Sequence, residues 1–235
     1  MPTSLSPVTQ LWPLFGLSVR TPRLTLRYVD DDLGAALMQL AAADGVHDPG
    51  EMPFTLPWTR SPSPLLEREG LQRYWRGRAQ TSPHAWSLSF AVLEDDVLVG
   101  EQNLRATDFG TRRTVGSASW VARSRQGRGI GREMRAAALH LAFDGLEAQV
   151  ATSGAFEDNP ASLAVSRSPS RTAKGSVHAS GEVFARPRQK LWSPSRSSCG
   201  DGVRVQGTVK GISAGSCTPS AAARAIRAPP RSSST

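Results

Sequence analysis

At 235 residues, with 39% hydrophobic and 20% charged residues and a mean hydropathy of −0.31, the chain is long enough for one domain with a substantial core. It has no run of about eighteen apolar residues, which excludes an ordinary membrane-spanning helix, and Cys199 and Cys217 lack the paired partners and histidines of a zinc or disulfide framework. The net charge of +8 is unevenly placed: residues 1–167 hold 17 arginines, no lysine and 18 acids, a net −1, whereas residues 168–235 hold 11 basic residues and two acids, a net +9.

The first apolar patch, Leu11-Trp12-Pro13-Leu14-Phe15-Gly16-Leu17, is interrupted by proline and preceded by no basic residue, so it is not expected to be a signal peptide. A cytoplasmic protein is the simplest expectation. The patch should pack against the domain or against a second subunit, the latter implying a homodimer. Thr21-Pro22-Arg23-Leu24-Thr25-Leu26-Arg27 alternates apolar and polar residues and predicts a half-buried strand. Asp30-Asp31-Asp32 places acids at a helix start, Leu33, Leu37, Leu40 and Ala41 form its apolar stripe, and Gly45 ends it. A second helix is predicted over 64–79. Two strands, 87–94 and 97–105, flank Asp95-Asp96, a turn pair suited to a hairpin.

A strand is predicted over 114–121, and Gln126-Gly127-Arg128-Gly129-Ile130-Gly131 follows. A glycine-rich strand-to-helix turn lets backbone N–H groups approach an anion, and the helix N-terminus adds partial positive charge. Arg128 and Arg132 flank it with fixed charge suited to phosphate oxygens. No lysine follows the glycines, so the P-loop is excluded, and Arg132 stands where the Rossmann fingerprint needs its last glycine. A flexible surface turn is the bland alternative. Beyond the loop, Ile130, Met134, Ala138, Leu141 and Ala142 recur at helical spacing while Leu139, Phe143 and Leu146 fill a second face, which predicts a buried helix over 132–146. A strand over 148–155 and a short helix from Asn159-Pro160-Ala161-Ser162 to Val165 complete the series.

Gln126, Gly129 and Gly131 fit the pattern Q/R-x-x-G-x-G/A in register. That pattern resembles the acetyl-CoA-binding motif of the GNAT acyltransferases. The strand 21–27 with its acidic helix start resembles the opening of the ribosomal-protein N-terminal acetyltransferases, the Rim-type branch. The resemblance covers roughly residues 17–167 and rests on three separated motifs. It implies an α/β (α+β) fold with a mixed, mostly antiparallel central sheet flanked by helices. It also implies an enzyme that transfers the acetyl group of acetyl-CoA to an amine, a protein N-terminus or a small molecule, by direct attack in a ternary complex.

The same resemblance assigns residues. Strands 114–121 and 148–155 should splay, with the coenzyme's pantetheine arm filling the gap as an extra strand would. Val121, Gln126, Gly127, Arg128, Gly129, Ile130, Gly131 and Arg132 should hold acetyl-CoA, the loop gripping its pyrophosphate. Asn159 should bond the pantetheine arm, and the Ser162 hydroxyl should lie near the sulfur as proton donor, which makes these two the catalytic candidates. Asn159 reads equally well as a helix cap with Pro160 at the first position. No metal is implied.

No general base stands out. Glu101, Glu157 and His47 are candidates that read more simply as solvated or structural residues, and a water chain could serve instead. The segment 47–58 is the expected acceptor wall, with Met52, Phe54 and Trp58 offering apolar surface and Asp48 and Glu51 suiting a cationic amine. Trp75 and Trp86 can extend it, although core packing is the simpler role for each tryptophan.

On this division residues 1–167 form an acetyltransferase domain lacking its last strands, and residues 168–235 a basic Ser/Pro/Arg-rich tail. Three accounts of the tail stand: a disordered extension, a nucleic-acid-binding arm, and a change of translation frame near Arg167, which we favour. The resembling family continues with a Leu-Gly-Tyr turn and two strands where this chain reads Ser168-Pro169-Ser170. Nucleic acid is therefore not the expected partner, and an impaired product that at most binds CoA is the main alternative to a working enzyme.

Overall fold

In a computed structural model of the chain, the described residues are 6–156 and 159–167, with 176–178 and 204–207 as two further short strands. The element order is α1 (Pro7–Leu11), β1 (Leu17–Arg20), β2 (Leu24–Tyr28), α2 (Asp31–Asp44), α3 (Leu65–Ala79), β3 (Trp86–Glu94), β4 (Val97–Ala106), α4 (Phe109–Arg112), β5 (Thr114–Val121), α5 (Ile130–His140), β6 (Val150–Ser153), α6 (Pro160–Arg167), β7 (Ser176–His178) and β8 (Arg204–Gly207). The strands form one mixed sheet in the order β7-β6-β5-β4-β3-β2-β1-β8. Pairs from β1 to β5 are antiparallel, and β5–β6 and β6–β7 are parallel. Helices cover both faces, so the fold is the mixed, mostly antiparallel sheet flanked by helices that the sequence led us to expect. Beyond β7 and β8, the tail and the proposed frame change lie outside the described residues.

Alternation along each strand decides which face each side chain enters. Leu88, Phe90 and Leu104 enter the layer beneath α5, where they meet Met134, Ala138 and Leu141. Ala91 and Leu93 enter the opposite layer, against Leu37 and Met38 of α2 and Tyr74 of α3. Each large apolar side chain fully removed from water contributes about 1.5–3 kcal/mol. The apolar patch at 11–17 packs on the first layer through Leu14 and Leu17, with the Phe15 ring edge-on to Tyr28 at 5.9 Å.

The structure redraws three predicted elements. The strand expected over 21–27 is half of a hairpin: β1 and β2 pair with Val19 opposite Leu26, and the chain turns at Thr21, whose N–H bonds the Leu24 carbonyl at 2.8 Å. The helix expected over 132–146 begins at Ile130 and ends in a π turn, Leu141–Gly145, closed by the Leu146 N–H on the Leu141 carbonyl at 2.9 Å. The strand expected over 148–155 spans only Val150–Ser153. The Asp95-Asp96 turn is as expected, with φ of 49° and 62°, the positive values at both central residues that let a two-residue turn match the right-handed twist of its strands.

Gly100 marks a close approach that positions the site. It pairs with Val121 at the end of β5, and a Cβ there would lie 2.3 Å from the Trp120 carbonyl oxygen. Backbone rather than a pliable side chain stands in the way, so Gly100→Ala should force β4 and β5 apart. The expected result is a destabilisation of about 2–3 kcal/mol, read as a lower melting temperature.

Candidate active site

β5 and β6 form a fork. They pair in parallel from Thr114 and Val150 to Ser117 and Ser153, and there the pairing stops although β5 runs on to Val121. The residues after Ser153 leave the sheet, so the edge of β5 from Ala118 onward is open toward a cleft of about 1500 Å³. That volume exceeds the range that suits one drug-sized ligand. Unpaired strand edge and loop N–H groups are both good partners for an extended polar chain.

The glycine loop closes the open end of the fork. Gly127 and Gly129 have φ of 76° and 81°, the left-handed region that side chains with a Cβ resist. A Cβ at either position would meet nothing within 4 Å, so backbone conformation and access to the cleft, not crowding, call for glycine. Gly129 caps α5 without a side-chain hydrogen bond, and its carbonyl accepts the N–H groups of Arg132 and Glu133 at 3.1 and 3.2 Å. The N–H groups of Ile130 and Gly131 find no acceptor among the described residues. Together with the helix dipole they make an anion seat.

Gln126 has a structural task in this seat: its Nε2 donates to the carbonyls of Val46 and Val121 at 3.0 and 2.9 Å. The strand end, the loop and the segment after α2 are thereby fastened together. A second fastening comes from the β1–β2 turn. Thr21 donates to Glu133 Oε1 at 2.5 Å, and Arg23 bonds Glu94 Oε1 at 2.6 Å while lying 3.6 Å from Glu133 Oε2. The Thr-Pro-Arg-Leu stretch and the glycine loop, about a hundred residues apart, thus meet as one assembly.

The Arg23 hydrogen bond holds the Glu94 carboxylate below its ordinary range, with burial opposing and the Arg128 charge assisting. A lowered folded-state pKa means the folded protein binds the proton less readily. The contribution to stability is therefore full above about pH 4.5 and is lost as pH falls through the lowered value. We expect Glu94→Gln to melt below the wild type at near-neutral pH, with the gap closing as acidity increases below that point. Melting curves across the acid range check this.

The structure brings most of the expected residues to the cleft. Val121, Gln126, Gly127, Gly129, Ile130, Gly131, Arg132, Asn159 and Ser162 all line it. Arg128 does not line it; its Nη2 lies 3.7 Å from Glu94 Oε2. Asn159 Oδ1 accepts the Ser162 N–H at 2.9 Å, which is the N-cap geometry of α6.

From the acceptor segment, His47, Asp48, Glu51, Phe54 and Trp58 line the cleft, whereas Met52 does not. Phe54, Trp58 and Trp120 stack in series at 5.5 and 6.1 Å, and the Arg73 guanidinium lies 5.6 Å over the Trp58 ring. Trp86 lines the cleft from the core, and Trp75 bonds Asp31 at 3.0 Å away from it. His47 has both ring nitrogens engaged, with the Asp48 carbonyl and the Thr59 hydroxyl at 2.8 Å each. Glu157 lies outside the described residues.

Glu101 proves to be a buried hub. It is 2% exposed, and its Oε2 accepts from Arg73 at 3.0 Å, Tyr74 at 2.9 Å and Trp120 at 2.9 Å. Burial and the Glu101 charge both push the Tyr74 hydroxyl well above its ordinary pKa, so it remains a neutral donor. Glu101 itself does not line the cleft; Arg73 and Trp120, which it holds, do. Arg73, Trp120 and Arg135 are among the cleft residues that the sequence did not single out. A tryptophan in a strand reads as core, and an arginine on a helix reads as surface.

Arg135 is 5% exposed, and its Nη1 donates to the Ser153 hydroxyl at 2.8 Å. Burial pulls its pKa down to about 10, so it remains charged at neutral pH. No group of three or more metal-ligating side chains occurs among the described residues, and no described helix is long and apolar enough to cross a membrane.

Residues 23–168 match the family described as the acetyltransferase (GNAT) domain. Among solved structures, the chain is similar to Mycobacterium smegmatis RimJ in complex with CoA-disulfide, at 24% identity and a TM-score of 0.51, over 63% of this chain and 70% of that one. It is also similar to RimL, the ribosomal L7/L12 alpha-N-protein acetyltransferase in complex with coenzyme A, at 18% identity and a TM-score of 0.51, over 69% of this chain and 87% of that one. At these identities the two structures speak for the fold.

Proposed function

This chain belongs to the acetyltransferase (GNAT) domain family, and from that premise we propose that it moves the acetyl group of acetyl-CoA to an amine by direct attack with both substrates bound. The observation that carries the proposal is the fork between β5 and β6, open beyond Ser117 and Ser153 and ending at a glycine loop with free N–H groups. An anion seat at one end and an open strand edge leading inward suit a ligand with a pyrophosphate and an amide-bearing arm. RimJ and RimL, which share the fold, are each described in complex with a form of CoA.

Acetyl-CoA supplies an acyl group on a thiol leaving group: a C–N bond forms as the C–S bond breaks, the electron pair goes to sulfur, the amine loses a proton and the sulfur gains one. In this proposal the loop 126–131 and Arg132 hold the pyrophosphate, and the edge of β5 from Ala118 to Val121 aligns the arm. Asn159 fixes the start of α6, placing Ser162 in the cleft as the group able to return a proton to sulfur. Trp58, Trp120 and Arg73 shape the acceptor side, where Asp48 and Glu51 offer charge to a protonated amine before it loses its proton. Holding both reactants in one cleft supplies the orientation that the reaction needs.

Titration calorimetry of the full chain with acetyl-CoA tests the proposal, followed by detection of free thiol on addition of an amine. Saturable binding with amine-dependent thiol release is expected. Absence of any acetyl-CoA binding would overturn it, whereas binding without turnover would favour the impaired product set out above.

A further inference from the structure

Arg135 has a feature that acetyl transfer as described above does not use. It stands five residues past Ile130, about 7.5 Å along the helix axis from the loop, and lines the cleft from beneath. Its Nη1 donates to Ser153, the last residue of β6 paired with β5. Its Nη2 is buried without a hydrogen-bond acceptor, and no described carboxylate pairs with the guanidinium. Burial lowers its proton affinity, and no acid among the described residues offsets this.

A buried cation with no carboxylate partner among the described residues is costly to keep, so its location matters. The glycine loop lies at the open end of the fork, and Arg135 lies at the vertex, where the two strands part. The described parts of α5, β6, the 154–156 turn and α6 contribute no acid to the cleft lining. Among the described residues the acids that line the cleft are Asp48 and Glu51, and both belong to the 47–58 segment.

Resting on the acetyl-CoA assignment, we propose that Arg135 is the group that selects for negative charge on the coenzyme's sulfur at the vertex of the fork. A neutral thioester gains little from this cation. As the C–S bond breaks and its electron pair moves to sulfur, the Arg135 charge lowers the energy of the thiolate, before the proton arrives from Ser162 or water. An interaction stronger with the departing group than with the bound substrate raises kcat rather than lowering KM.

The test is a spectroscopic titration of the thiol of CoA bound to the full-length wild-type chain, followed through thiolate absorbance. The bound thiol should titrate at least about one pH unit below free CoA, a tenfold shift in proton affinity. Arg135→Gln should return it toward the free value, and Arg135→Lys should retain most of the shift. Acetyl-CoA affinity in Arg135→Gln should stay within about threefold while kcat falls about tenfold or more.

A bound thiol that titrates with, or above, free CoA in the wild type overturns the proposal without any variant. So does an equal loss of affinity by Arg135→Gln for CoA and for desulfo-CoA, which would assign the cation to the phosphates. Failure of the wild type to bind CoA would instead sink the acetyl-CoA assignment and the proposal with it.

Discussion

Gly129→Asp is expected to weaken acetyl-CoA binding about 100-fold while shifting the melting temperature by only a few degrees. Gly129 lines the cleft at φ 81° with nothing within 4 Å of a built Cβ, so an added side chain has room. Aspartate tolerates the left-handed region better than most residues, which limits the strain. Its carboxylate would occupy the anion seat made by the Ile130 and Gly131 N–H groups. Like charges about 6 Å apart at an effective dielectric constant near 20 repel by about 3 kcal/mol, or about 100-fold in affinity. Gly129→Asn has the same shape without the charge and should lose about tenfold or less. Calorimetry on the pair separates charge from shape; equal losses would show that the seat does not discriminate charge.

The second large effect is expected at Glu101. Glu101→Ala removes the acceptor of three donors at once, leaving the Tyr74 hydroxyl, the Trp120 indole N–H and the Arg73 guanidinium without it. Removing one partner of a buried charged network costs about 3–5 kcal/mol, which for a domain of this size lowers the melting temperature by about 10 °C. Glu101→Gln keeps an oxygen for Tyr74 and Trp120 but abolishes the charge facing Arg73, so it should lose about half as much. Because Arg73 and Trp120 line the acceptor side, the Gln variant should raise KM for the amine more than KM for acetyl-CoA. Unchanged amine kinetics in a folded Glu101→Gln protein would limit Glu101 to a structural role.

The two effects differ in how visible they were beforehand. Gly129 belongs to a six-residue stretch whose chemistry is local: glycines supply positive φ, and the helix start supplies N–H groups, whatever the rest of the fold does. The Asp95-Asp96 turn, the acidic start of α2 and the cap Asn159-Pro160 are legible for the same reason. The strand expected over 21–27 begins only at Leu24, although alternation continues through Thr21-Pro22-Arg23, where the structure turns. The need for that turn appears only when Thr21 and Arg23 are seen meeting Glu133. The shortened β6 is similar: nothing in Ala148–Ala155 records that β5 and β6 must part after Ser117 and Ser153.

The sequence by itself determined the order of the main elements from β2 to α6, the glycine loop and the residue types able to hold a pyrophosphate, because each is set by contacts within a few positions of the chain. Tertiary structure alone decided where the fork opens, that Glu101 gathers Arg73, Tyr74 and Trp120, and that Arg135 faces inward with no described carboxylate paired to it. Those features depend on which groups from β4, β5, β6, α3 and α5 converge, and on a dielectric environment that exists only after they have packed.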